Sequence, residues 1–158
     1  MADPQHDMPT ASTDAHASRE EALRMFRDSA TDVLGSTDQR QRCRALELAG
    51  GGVDRGVWRQ LAELGWWSLL VDEADGGLGL GIAEVAVIAQ EAGRHLLPDP
   101  LVDAGVLPLA LLARLPPSAL RTELLADLQA GTRIAGVAWQ ARAGELLPAA
   151  RHCTAKPD

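Results

Sequence analysis

Tyrosine is absent from this chain and phenylalanine occurs once in 158 residues. Aromatic and β-branched residues favour pleated strands, so their scarcity beside abundant Ala and Leu predicts an all-α architecture. Cysteine is nearly absent too. Cys43 and Cys153 lie far apart in no CxxC spacing, which excludes a disulfide framework and a structural zinc site. Basic residues are outnumbered, 15 against 22 acidic, for a net charge of −7. A general nucleic-acid surface needs a basic stripe, so that class is excluded. No apolar run approaches the roughly 20 residues that cross a bilayer. The N-terminus carries Asp3, Asp7 and Asp14 and no apolar segment, so it is neither a secretory signal nor a transit peptide. A cytoplasmic protein is expected.

What is present reads as a succession of helices. Residues 1–17 are polar and small, without apolar period, and are expected to be a disordered tail. Ser18 and Glu21 fit a capping box, after which Leu23, Phe26, Ala30 and Val33 recur at helical spacing up to Gly35, the expected left-handed stop. A second helix is expected from about Thr37 to Ala49, with Arg40, Arg42 and Arg44 on a solvated face. Asp54 is a natural cap for a third, with Val57, Trp58, Leu61 and Leu64 inward and Gly65 closing it. Trp66 to Val71 is a short apolar run. Gly76 to Gly81 does not fit GxGxxG, so no dinucleotide fingerprint is present. A helix from Ile82 to about Gly93 is apolar around much of its girth and should be deeply buried. Leu101 to Leu115 is a core or interface helix, bent at Pro108. Ser118 caps a last helix ending near Gly131. Beyond it the texture changes, and residues 134–158 read as the start of a β region that the chain leaves incomplete. The helical domain is thus expected over 18–133.

The residues supply no catalytic constellation. There is no Ser-His-Asp order, HExxH or GxxxxGK. His6 and His16 fall in the expected tail, His152 near the end of the chain, and His95 at a helix end where capping is the common role. Glu84 and Glu91 share a helix face but stand about 10 Å apart along the axis, too far to cooperate.

The segment Trp58-Arg59-Gln60-Leu61-Ala62-Glu63-Leu64-Gly65-Trp66-Trp67, followed by Asp72-Glu73-Ala74-Asp75-Gly76-Gly77-Leu78-Gly79-Leu80-Gly81, resembles the N-terminal helical domain of the acyl-CoA dehydrogenase family. So does Glu91-Ala92-Gly93-Arg94-His95-Leu96-Leu97-Pro98-Asp99-Pro100. The resemblance runs from about Ser18 to Asp158. It implies a fold of N-terminal helices followed by a β domain, and an extended conformation at Trp66–Val71. It implies FAD-dependent α,β-oxidation of an acyl-CoA thioester, an electron-transfer flavoprotein or similar acceptor, and a homo- or hetero-oligomer. The flavin carries the redox step, while the protein orients and polarises. The family's catalytic base lies in a C-terminal part beyond this chain, so no catalytic residue is assigned and the chain alone is expected to be inactive and not to retain FAD. The resemblance places Leu101, Val102, Asp103, Val106 and Leu107 at the acyl end of the substrate cavity. It places Val137, Trp139 and Gln140 beside the flavin. Gln140 and Ala141 depart from the Thr-Glu usual there, which also fits a non-catalytic partner subunit of a heteromeric dehydrogenase. A helical protein-interaction module is the remaining alternative.

Overall fold

A computed structural model describes residues 10–138, which form two compact units woven from alternating stretches of chain. The first is made of residues up to Val53 with Leu80–Asp99, the second of Asp54–Gly79 with the chain from Pro100 onward. Six α-helices appear among the described residues: α1 (Thr10–Gly35), α2 (Gln39–Leu48), α3 (Arg55–Glu63), α4 (Ile82–Arg94), α5 (Leu107–Leu112) and α6 (Ala119–Gln129). No strand is present among them.

In the first unit α1 packs along α4. Ala30 and Leu34 of α1 and Val85, Ile88 and Ala92 of α4 are buried. Glu91 is buried with them, and its carboxylate accepts from Thr31 Oγ1 at 3.5 Å and Arg94 Nη1 at 3.2 Å, with Arg27 Nε 3.7 Å away. Three donors around one buried carboxylate offset its desolvation. Glu84 reaches back to accept from the Gly81 N–H at 2.9 Å, satisfying a donor at the start of α4. The helix α2 is tied to the turn after α4 by polar bonds. Arg42 donates to Gln39 Oε1 at 2.6 Å and to Asp99 Oδ2 at 2.9 Å. Arg42 therefore leaves the solvated face expected of it, while Arg40 and Arg44 keep to it.

Two expectations at α1 are corrected. The helix begins at Thr10, eight residues before Ser18. Ala11, Ala15 and Ala17 extend it at little cost, since propagation from an anchored helix is easy where nucleation is not. Residues 1–9 lie outside those described. Gly35 is the last helical residue and has no left-handed φ.

The second unit centres on two indoles. Trp58 of α3 and Trp67 stack with centroids 4.2 Å apart and planes at 25°. Each is 1% exposed. The Trp67 Nε1–H donates to the Trp58 carbonyl at 3.2 Å. Glycines lie against both rings: a Cβ on Gly105 would stand 2.3 Å from Trp67 Cε3, and one on Gly131 would stand 3.3 Å from Trp58 Cδ1. As expected, Asp54 caps α3, accepting from Gly56 and Val57, and Gly65 closes it at φ +78. Trp66 to Val71 is not extended. It folds into turns, with Ser68 N–H on the Gly65 carbonyl and Val71 N–H on the Ser68 carbonyl. The turns pair this run's backbone locally while Trp67, Leu69 and Val71 are buried.

Candidate functional site

The segment after Pro100 is helical, as its apolar run suggests, but not one bent α-helix. Leu101–Val106 is a widened π turn that runs into α5. Its closing bond runs from the Leu107 N–H to the Val102 carbonyl, five residues back. Pro108 has no N–H to offer the next turn, so widening just before it forfeits little. The backbone adjusts at the π turn, which ends two residues ahead of the proline where the bend was expected.

This local geometry separates the five expected cavity residues. Leu101 and Val106 are buried at 6% and 4% exposure. Val102 and Asp103 face outward, Val102 at 48%, and Leu107 is half-buried. Asp103 thus reaches solvent, which relieves a carboxylate in an apolar run. Of the three residues expected beside a flavin, Val137 is half-buried in irregular chain, and Trp139 and Gln140 lie outside the described residues. The strands expected from residue 134 do not appear at 134–138, and the rest lies outside the described residues.

An apolar groove of about 280 Å³ opens further along the same segment, lined by Leu112, Leu115, Pro116, Leu120 and Leu124 with Ser118 and Arg121. Leu115 and Leu120 at its edge are 54% and 63% exposed. Ser118 caps α6 by accepting from the Arg121 N–H at 3.1 Å, which sets the direction in which α6 leaves the Pro116-Pro117 break. The sequence signal for the groove was the pair of prolines set between leucines.

Arg121 fixes this region and was not singled out from sequence. Its side chain is largely buried and its planar guanidinium donates four hydrogen bonds. Nη1 and Nη2 reach the two carboxylate oxygens of Asp75 at 3.0 and 2.5 Å, Nε the Leu112 carbonyl at 3.0 Å, and Nη2 also the Ala113 carbonyl at 2.9 Å. The last carbonyls of α5, the start of α6 and the acidic turn before the glycines are thereby tied to one cation. The hydrogen bond from Arg121, aided by its charge and opposed by desolvation, holds the Asp75 carboxyl below its ordinary value; the same bond raises Arg121. Gln129 completes the clamp, donating to the Asp75 carbonyl at 3.0 Å and accepting from Ser68 Oγ at 3.1 Å.

Behind that turn the glycine loop folds back tightly. Gly79 N–H meets the Val71 carbonyl at 2.8 Å and Leu78 N–H the Ser68 carbonyl at 3.0 Å. Gly77 lies so close that a Cβ would fall 2.1 Å from the Val71 oxygen. The glycines therefore serve a close backbone approach rather than a phosphate cradle.

Chemically, the carboxylates described are engaged or exposed. Asp75 is held by Arg121, Glu91 by its three donors and Glu84 by a cap. His95 ends α4, its Nδ1 3.0 Å from the Glu91 carbonyl, the capping role expected of it. No group of three or more potential metal ligands occurs among the described residues. A flavin does not fit the described residues by themselves, because Val137 brings an apolar side chain and a backbone amide but no side-chain donor for an isoalloxazine. No helix is long and apolar enough to cross a membrane among the described residues. The arrangement presents apolar surface, not reactive groups.

These features define a helical domain, and comparison with known proteins says of which family. Residues 20–132 match the family model described as the acyl-CoA dehydrogenase N-terminal domain. The chain belongs to the acyl-CoA dehydrogenase family through that domain. It is similar to acyl-CoA dehydrogenase IpdE2 of Mycobacterium tuberculosis, at 33% identity over 115 residues covering 72% of this chain and 35% of that protein. It is also similar to acyl-CoA dehydrogenase IpdE2 of Mycolicibacterium smegmatis, at 31% identity over 118 residues covering 74% and 36%. Among solved structures it resembles a variant of the Tcur3481-Tcur3483 steroid ACAD, with a TM-score of 0.65 and 31% identity over 76% of this chain and 33% of that one. The chain spans about a third of the length of these relatives.

Proposed function

We propose that this chain is the N-terminal portion of a cytoplasmic, FAD-dependent acyl-CoA dehydrogenase, forming one wall of the acyl site and contributing subunit contacts, and inactive by itself. The observation that carries the reading is the family domain itself, built here without any free acid–base pair among the described residues and with apolar surface along 101–124. A domain of this kind shapes and dries a cavity, while the proton-abstracting carboxylate and most flavin contacts come from other parts of the full-length protein. When bound, FAD supplies the hydride acceptor. Val137, Trp139 and Gln140 are the residues of this chain proposed to approach it. Leu101, Val102, Asp103, Val106 and Leu107 are proposed to line or support the acyl end of the cavity, with Val102 the most available of the apolar four. The electrons then pass to an electron-transfer flavoprotein or a similar acceptor.

The second reading is a partner subunit without its own active site in a heteromeric dehydrogenase. Two observations favour it: Gln140-Ala141 in place of the usual Thr-Glu, and the similarity to the two-component Tcur3481-Tcur3483 steroid ACAD. Both readings are tested by measuring reduction of an artificial electron acceptor with a panel of acyl-CoAs, using this chain and the corresponding full-length protein. The first reading expects FAD-dependent turnover by the full-length protein and none by residues 1–158. Turnover by the short chain refutes it. A full-length protein active only when mixed with a second subunit establishes the alternative.

A further inference from the structure

The outward side of the π turn and α5 carries one charge at the end of an apolar stripe. Four residues make slightly more than one α-helical turn and slightly less than one widened turn, so Asp103, Leu107 and Leu111 succeed one another along the same side. At 1.5 Å per residue the row is about 12 Å long. Leu111 is 44% exposed, Leu107 is half-buried, and Val102 flanks the acid at 48%. Leu101, Gly105 and Val106 are buried on the opposite side. Asp103 is exposed and makes no ion pair among the described residues. Its neighbours in sequence offer none: no Lys or Arg lies between Arg94 and Arg114, and Arg114 Nη1 is engaged with the Ala110 carbonyl at 2.9 Å. In water such a carboxylate needs no partner. Enclosed in a cavity wall it does, because an unpaired buried carboxylate is costly.

We propose that Asp103 accepts a hydrogen bond from a hydroxyl at the distal end of the acyl group, so that the substrate is a hydroxylated acyl-CoA and not a plain hydrocarbon chain; this rests on the reading of residues 101–107 as the acyl end of the site. The apolar body of the acyl group lies along Leu111 and Leu107, with Val102 at its far end. A carboxylate only accepts, so the group that meets it must donate, and a hydroxyl does so while leaving the rest of the ligand apolar. A plain chain would desolvate Asp103 and give it nothing, which is how a site built to bond a hydroxyl rejects the analogue lacking one. Asp103 moves no proton in the oxidation. Its bond is made alike in the ground state and the transition state, so it acts on KM more than on kcat. The widened turn is what sets the acid beside Val102 at the end of the stripe, and such turns recur at functional sites.

The test uses the full-length enzyme, with its second subunit where one is required, and acyl-CoAs of one length that carry a distal hydroxyl, a ketone or hydrogen. The hydroxyl compound is expected to lead in kcat/KM by about tenfold or more. The ketone cannot donate and should behave as the plain chain does. Asp103→Leu should erase that lead, chiefly through KM, with Tm and flavin content kept. Asp103→Asn keeps a carbonyl acceptor and should keep part of the lead. A parent enzyme indifferent to the hydroxyl overturns the proposal, as does a ketone used equally well or a lead that survives Asp103→Leu. So does an Asp103→Leu enzyme that loses stability or flavin and slows alike with all three compounds, the mark of a partner for Asp103 elsewhere in the protein. An enzyme inactive with every acyl-CoA refutes the dehydrogenase reading itself, and the role of Asp103 with it.

Discussion

Placing a single methyl group at Gly105 tests the core of the second unit. The backbone there permits alanine, since Gly105 is not among the glycines with positive φ, so only space is at issue. A Cβ would sit 2.3 and 2.4 Å from Trp67 Cε3 and Cζ3. Carbon atoms rest about 3.5–4.0 Å apart, so the indole would have to retreat roughly 1 Å. It has nowhere to go: Trp58 stacks at 4.2 Å, and the Trp67 Nε1–H is held on the Trp58 carbonyl. Overpacking of this kind costs about 1–3 kcal/mol, and the blocked retreat argues for the upper end. Alanine's better helix propensity returns about 1 kcal/mol. A net loss of about 2 kcal/mol lowers the Tm by roughly 4–8 °C in a chain of this size. Calorimetry on Gly105→Ala reads it directly. Gly93→Ala is the control, because nothing lies within 4 Å of its Cβ site and its φ is ordinary, so the same propensity should raise the Tm. Trp67→Phe, which removes the outer ring atoms, should shrink the penalty of Gly105→Ala in a double-mutant cycle. A Gly105→Ala protein as stable as the parent refutes the packing argument.

Trp58→Ala should cost about 3–5 kcal/mol, seen as a lower denaturant midpoint, because the ring is 1% exposed and stacked. Asp75 has a folded pKa below its unfolded value, so its contribution is fully present above the ordinary carboxylate range and is lost as pH falls through the lowered value. Asp75→Asn should therefore flatten the acid limb of the stability–pH curve and leave less to lose as the pH falls below the ordinary carboxylate range, which acid titration by circular dichroism measures. In a full-length enzyme, Val102→Trp should shift preference toward shorter acyl chains with flavin content kept. Val106→Trp should lower stability and reduce activity alike for every chain length, since Val106 is 4% exposed and Val102 is 48%. Equal effects at both positions would contradict the geometry of the π turn.

What the sequence disclosed follows from the range of each interaction. The limits of α3 and α6 were legible because Asp54, Gly65, Ser118 and Gly131 act within one turn of the helices they bound. The family resemblance was legible because its residues are contiguous. The clamp between Arg121 and Asp75 was not, because 46 positions separate partners that no local pattern links. Nor was the π turn, whose register depends on Gly105 reaching Trp67. Trp66 to Val71 shows the same limit: a six-residue apolar run gives no period, and only the returning glycine loop decides that it turns. The directions of the side chains over 101–107 were not legible either, since a widened turn decides that Val102 points out and Val106 in.

The interleaving of the two units constrains how this protein can be dissected. Because α1 and α4 belong together but α3 and the glycine loop intervene, no continuous fragment contains the first unit alone. A cut after Val53 yields a piece holding α1 and α2 without α4, so Glu91 is parted from Thr31 and Arg27 while Arg94 stays with it. Expression of either half is then a complementation problem. The two pieces should gain helical structure when mixed, because a boundary drawn from sequence order alone cuts through the first unit.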